Sequence, residues 1–173
     1  MAVGPDFMRG MRAGEEDAVD ALLRAAFPGP EEAALVHRLR AEGRMEMEIV
    51  LPWQGELVGY VGLSRLVAPE GWLALAPAAI APSWQGRRLG ARLVGRVMQL
   101  VTIKQQRVVV IGKPSFYARA GFSQARAAGL KLPYPLEYTG YFGPGDDVPE
   151  AEVIYPAAFE GVYTSVVTPA LQE

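Results

Sequence analysis

The chain has no cysteine, which removes disulfides, a thiolate nucleophile and thiolate-held zinc or iron–sulfur centres in one step. Histidine occurs once, at His37, so a multi-histidine metal site is excluded and a histidine-centred triad has too little to work with. No run of about 18 apolar residues appears, and no basic segment leads into an apolar stretch near residue 1. Neither a transmembrane helix nor a secretory signal is expected, and the cytoplasm is the expected compartment. Positive charge is not in excess: 17 Lys and Arg against 19 Asp and Glu give a formal net charge of −2, leaving no global basic field for nucleic acid or a membrane surface. Any cationic site must be local.

What is present is enough for one core. The 173 residues are 50% hydrophobic and 21% charged, which predicts a single globular domain over 1–173. Asp6 to Met11 reads as a first strand with Phe7 and Met11 facing inward. Val19, Leu22, Leu23, Ala26 and Phe27 recur at helical spacing after the acidic Glu15-Glu16-Asp17, and Pro28-Gly29-Pro30 ends that helix. A second helix covers Glu31 to Arg40. Met45 to Leu51 and Leu57 to Leu66 read as a hairpin around Pro52-Trp53-Gln54-Gly55-Glu56.

Leu73 to Ile80 is an almost wholly apolar strand that carries Pro77. Proline cannot donate to a ladder, so this strand must bulge or splay from a neighbour there. After Pro82, Leu89, Leu93, Val97, Leu100 and Val101 form an apolar stripe and Arg88, Arg92 and Arg96 a basic one, as in an amphipathic helix of roughly five turns. Val108 to Ile111 is a short strand, Pro114 opens a short helix through Arg119, and Phe122 to Ala125 reads as the start of another strand. From about residue 131 the chain is rich in Pro, Gly and Tyr and reads as a long loop, with one β-like piece at Val153 to Tyr155. The class is α/β or α+β around a mixed sheet.

The junction from Leu73 to Leu93 organises the rest. A strand runs through a turn into a helix whose first turn holds glycines and arginines. Free N–H groups at a helix start, the helix dipole and nearby guanidiniums together favour a phosphate.

Gln85-Gly86-Arg87-Arg88-Leu89-Gly90-Ala91 resembles the Gln/Arg-x-x-Gly-x-Gly/Ala signature of the GCN5-related N-acetyltransferases, the GNAT superfamily. Val108 to Phe122 is similar to that family's next strand followed by its Phe-Tyr-x-x-x-Gly-Phe block, and Val153 to Phe159 is similar to a late block of the YhbS-like branch. The resemblance implies a mostly antiparallel central sheet, splayed between its fourth and fifth strands and flanked by helices. It implies acetyl-CoA as cofactor, an amine acceptor, no nucleic acid or membrane partner, no metal, and a homodimer. Amides of Gln85, Gly86, Arg87, Arg88, Leu89, Gly90 and Ala91 would hold the pyrophosphate, with Arg87 or Arg92 at a further phosphate. Ala78, Ala79 and Ile80 would offer pantetheine an exposed strand edge, with an amide near Ala79 or Ile80 as the oxyanion contact. Tyr117 matches the family's general acid. Two features depart from the pattern: Arg88 stands where the signature has its first glycine, and no asparagine precedes the Phe-Tyr block.

Simpler readings stand beside these. Ser83 and Ser115 suit turns and helix starts, His37 suits a helix surface, and Trp72 and Trp84 suit packing. Tyr134, Tyr138, Tyr141 and Phe142 fit either a lid or a plug on the core. For a general base the strand from Leu73 to Ile80 offers no carboxylate, and Glu31, Glu32 and Glu48 are the remaining acids considered. The reading divides between an N-acetyltransferase acting by direct attack of a primary amine and a non-catalytic CoA-binding domain with the same fold. A helix-start site for another phosphorylated ligand is a third option.

Overall fold

Two long β-strands, β2 (Met45–Trp53) and β3 (Glu56–Arg65), form the hairpin, and their turn is tighter than the sequence suggests. Gln54 and Gly55 alone make it, at φ 48° and 81°, the paired left-handed backbone that follows the twist of the strands. Pro52 lies inside β2, at an irregularity in its register with β3. In this computed structural model, which describes residues 4, 5 and 7–163, the hairpin sits within a six-stranded sheet.

The sheet order is β1-β2-β3-β4-β5-β7, with β1 Arg9–Gly10, β4 Trp72–Ile80, β5 Arg107–Ile111 and β7 Thr139–Phe142. Every pair is antiparallel except β4 with β5. A parallel pair needs a crossover, and α3 (Leu89–Ile103) supplies it. Two further short strands, β6 (Leu130–Lys131) and β8 (Ala151–Glu152), pair separately.

Helix α1 (Glu16–Ala26) buries Val19, Leu22 and Leu23, and α2 (Glu31–Ala41) buries Leu35, Val36 and Leu39, as their spacing predicts. α3 and α4 (Pro114–Ala118) cover the sheet through Leu89, Leu93, Val94, Val97, Phe116 and Tyr117. A separate apolar cluster joins α2 to the late part of the chain through Leu35, Leu39, Tyr141, Val153 and Phe159.

Several expectations are corrected. Phe7 is 68% exposed and does not face inward. α3 is 15 residues long and opens at Leu89, because Pro82–Trp84 forms a separate 3-10 turn before it. Phe122 to Ala125 is no strand: Ser123 makes one bridge to Tyr141 and the chain then enters a 3-10 turn at Ala125–Ala127. The late loop hides β7, whose Tyr141 is fully buried against Trp72, so this tyrosine plugs the core. The β-like piece shifts to β8, while Val153 bonds Lys131 and Ile154 bridges Ala68.

Candidate active site

Pro77 splits β4 into two halves with different neighbours. Trp72 to Leu75 pair with Arg107 to Val110 of β5, and beyond Leu75 that ladder stops. On the other side Leu75 pairs with Leu63 and Ala78 with Val61, so Ala76 and Pro77 form a bulge opposite Gly62. Ala78 to Ile80 therefore keep β3 on one edge and have no β5 partner on the other.

The backbone direction at Ile80 follows from the ladder. The Ala81 N–H donates to the Val58 carbonyl at 2.8 Å, so Ala81 and Val58 occupy a hydrogen-bonded pair. Antiparallel pairs alternate, which turns the N–H and C=O of Ile80 away from β3 and toward the splay. The Gln85 side chain confirms that direction: its Nε2 donates to the Ile80 carbonyl at 2.9 Å from the far edge. The edge is not exposed as expected, since Ala78, Ala79 and Ile80 are all 2% exposed or less. It is an unpaired edge inside the protein.

At the helix start, Gly86, Arg87 and Arg88 are exposed, Gln85 and Ala91 are half-buried, and Leu89 and Gly90 are buried. The Arg88 side chain does not cap α3, and among the described residues no side-chain hydrogen bond reaches its first-turn amides. Arg88 sits at the N-cap with φ 60° and ψ 19°, left-handed geometry that a glycine adopts without strain. Its side chain points into solvent and does not fill the turn. Arg87 lies over the Trp84 ring at 4.6 Å, and Trp84 meets Trp53 edge-on at 5.8 Å. That stack holds Arg87 beside the helix start.

Tyr117 enters from the second half of the chain. Its ring is buried between Phe116 and Phe122, with centroids 5.0 and 5.7 Å away. Tyr117 also belongs to the cluster containing Ala78, Ile80 and Leu89, so the sheet and α4 bring these candidates together. Its ring presses on the Gly112 backbone, where no Cβ fits. Burial pushes the Tyr117 hydroxyl well above the ordinary tyrosine range, which keeps it protonated. It lines a cleft of about 270 Å³ with Val110, Gly112, Ser115 and Thr139.

The three acids separate clearly. Glu48 is bound by Arg40 at 2.8 Å and by the Tyr60 hydroxyl at 2.8 Å, an internal pairing that takes it out of service. Glu31 lies on the surface side of α2, whereas Glu32 is buried. His37 is a surface residue, 3.1 Å from Asp20. Sequence reasoning did not single out Tyr163, whose ring meets Tyr134 edge-on at 6.3 Å and whose hydroxyl burial pushes above the ordinary tyrosine range. Its only sequence signal was its place in a tyrosine-rich tail.

β4 leaves its parallel partner at a proline bulge and then runs through a turn into the start of α3. The model of the acetyltransferase (GNAT) family matches residues 16–122, and the chain belongs to that family. Within it the chain falls in the YhbS-like branch. It is 34% identical over 122 residues to the uncharacterized N-acetyltransferase YhbS of Escherichia coli strain K12, covering 68% of this chain and 73% of YhbS. The crystal structure of YhbS from Escherichia coli in complex with CoA matches with a TM-score of 0.83 at 26% identity, over 94% of this chain and 96% of that one. A GNAT family acetyltransferase from Brucella melitensis, solved in complex with acetyl-CoA, shares the fold with a TM-score of 0.75 at 24% identity, over 88% and 97% of the two chains.

Proposed function

We propose that this chain is an acetyl-CoA-dependent N-acetyltransferase that moves an acetyl group to a primary amine by direct attack. The observation that carries the reading is the unpaired inner edge of β4, with the Ile80 N–H turned into the splay. The CoA complex of YhbS supports the ligand class. Acetyl-CoA brings the activated thioester and an anionic pyrophosphate.

Each part of the chain has a matching task. Uncapped amides from Gly86 to Ala91, at the positive end of a 15-residue helix, suit a pyrophosphate. Ala78 and Ile80 offer backbone groups to the amides of pantetheine, in the manner of an added strand. The Ile80 N–H is the donor for negative charge developing on the acyl oxygen, in a site that burial keeps dry. Tyr117 gives its hydroxyl proton to the departing sulfur. Burial keeps the Tyr117 hydroxyl protonated and so able to donate, and general acid catalysis contributes roughly 10²- to 10⁴-fold.

Calorimetry with acetyl-CoA, followed by thiol release across a panel of amines, tests the reading. Binding with saturable turnover is expected. No binding at high micromolar acetyl-CoA overturns it, and binding without turnover of any amine leaves the non-catalytic CoA-binding domain in its place.

A further inference from the structure

The cleft beside Tyr117 opens where the sheet splits. Val110 is the last residue of β5 to pair with β4, and just past it the Gly112 N–H donates to the Tyr138 carbonyl at 2.9 Å. Both residues line the cleft of about 270 Å³, with Tyr117 on the same wall. None of Ala78 to Ile80 or Gly86 to Ala91 lines it, so it lies off the path proposed for pantetheine and pyrophosphate. A thioester whose sulfur meets Tyr117 has this cleft beside it.

The lining is polar but uncharged. No Asp, Glu, Lys or Arg belongs to it, and Lys113 and Glu137, its neighbours in the chain, are not part of the wall. Ser115, Gln124 and Tyr138 supply a hydroxyl, an amide and a phenol, and none of these side chains makes a hydrogen bond among the described residues. The Thr139 hydroxyl donates to the Pro135 carbonyl at 2.9 Å and keeps its lone pairs as acceptors. An ionic group entering such a wall loses water without gaining a counter-charge. Hydroxyl groups instead find donors and acceptors that the fold leaves unused. The volume falls just below the roughly 300–1,000 Å³ of sites for drug-sized ligands, which fits a single ring or a short chain.

We infer that this cleft is the acceptor subsite, and that the acceptor is a small primary amine whose body carries hydroxyl groups and no second charge. The inference rests on the acetyl-CoA reading above. Ser115, Gln124 and Tyr138 hold the hydroxyls and turn the nitrogen toward the Tyr117 end of the cleft. The neutral amine forms the C–N bond at the acyl carbon, the C–S bond breaks, and the sulfur takes the Tyr117 proton. Water accepts the proton lost from nitrogen and returns one to Tyr117, so amine plus thioester become amide plus thiol. Discrimination against a second charge comes from its missing partner and needs no steric clash.

The test measures kcat/KM by thiol release with amines of similar size. They are serinol, its isosteric deoxy counterpart 3-aminopentane, serine, in which a carboxylate replaces one hydroxymethyl group, and the diamine in which an ammonium replaces one serinol hydroxyl. Loss of two neutral hydrogen-bonding groups predicts a preference of roughly 10-fold for serinol over 3-aminopentane, and at least as much over the two doubly charged amines. Because the amines differ in basicity, the deciding quantity is the serinol to 3-aminopentane ratio in the unaltered chain against that in the double variant Ser115→Ala, Gln124→Leu, where basicity cancels. Both side chains are exposed, and an unchanged melting temperature shows that the variant folds. The variant is expected to lose serinol turnover, shrink the ratio by roughly 10-fold and keep CoA affinity within about 2-fold. A ratio unchanged in the variant, faster turnover of serine or the diamine than of serinol, or turnover of other amines with none of serinol overturns the inference while the acetyl-CoA reading stands. Failure of the unaltered chain to bind CoA, or to turn over any amine, overturns that reading and the inference with it.

Discussion

The Gln85 side chain reaches back over the turn that follows β4 and donates its Nε2–H to the Ile80 carbonyl at 2.9 Å. One side chain thus joins the strand end and the helix start, the two devices proposed to grip pantetheine and pyrophosphate. It also satisfies an inward-facing carbonyl that has no strand partner.

Gln85→Ala removes that clamp. A half-buried hydrogen bond contributes about 1 kcal/mol net, so the melting temperature should fall by only about 2–4 °C. Acetyl-CoA affinity should fall more, by roughly 10-fold, because the turn carrying the amides loses its fixed position. Calorimetry beside thermal melting checks the pair of effects.

Arg88→Gly places at φ 60° the residue that adopts this backbone without strain. Because the Arg88 side chain is exposed, little contact is lost, and relief of about 1 kcal/mol outweighs it. The variant should melt about 2–4 °C higher and bind acetyl-CoA at least as well. A lower melting temperature would show that Arg88 holds the turn by its side chain.

Tyr117→Phe keeps the ring between Phe116 and Phe122 and deletes only the hydroxyl. Turnover should drop by about 10²-fold with acetyl-CoA affinity unchanged. Gly112→Ala provides the contrasting case, because its methyl collides with the Tyr117 ring. It should cost about 1–3 kcal/mol of stability and lower turnover together, measured by denaturant unfolding and thiol release.

Glu15 gives the fold a titratable tie. Its carboxylate holds Arg9 at 2.6 Å and accepts the Arg12 N–H at 2.8 Å, and these bonds pull its pKa down to about 2. A depressed folded pKa contributes stability that is fully present above the unfolded value of about 4.5 and is lost as pH falls toward 2. Glu15→Gln should therefore destabilise at pH 7, with the difference from the unaltered chain shrinking from pH 4.5 downward. Urea unfolding at several pH values reads this directly.

The parts legible in the sequence were those with local periodicity. α1, α2, the stripe of α3 and the apolar run of β4 follow from spacing alone, and Pro77 forced the bulge that opens the sheet. The Gln85 to Ala91 and Phe116 to Phe122 blocks named the family. β7 escaped because Thr139 to Phe142 is four residues long and enclosed by turn-forming residues, so only its pairing with β5 makes it a strand. The difference between Glu32 and Glu48 was invisible too. Both are acids on amphipathic elements, and what separates them is whether Arg40 and Tyr60 arrive from elsewhere in the fold.

β4 and β5 meet only from Trp72 to Leu75, and this short ladder is also a division of the chain in order. Everything that forms the phosphate cradle precedes the exposed turn at Gln105, and the proposed acid follows it. The proposed reaction centre is thus encoded in two consecutive segments, and a single backbone nick at Gln105 separates cradle from acid without interrupting either.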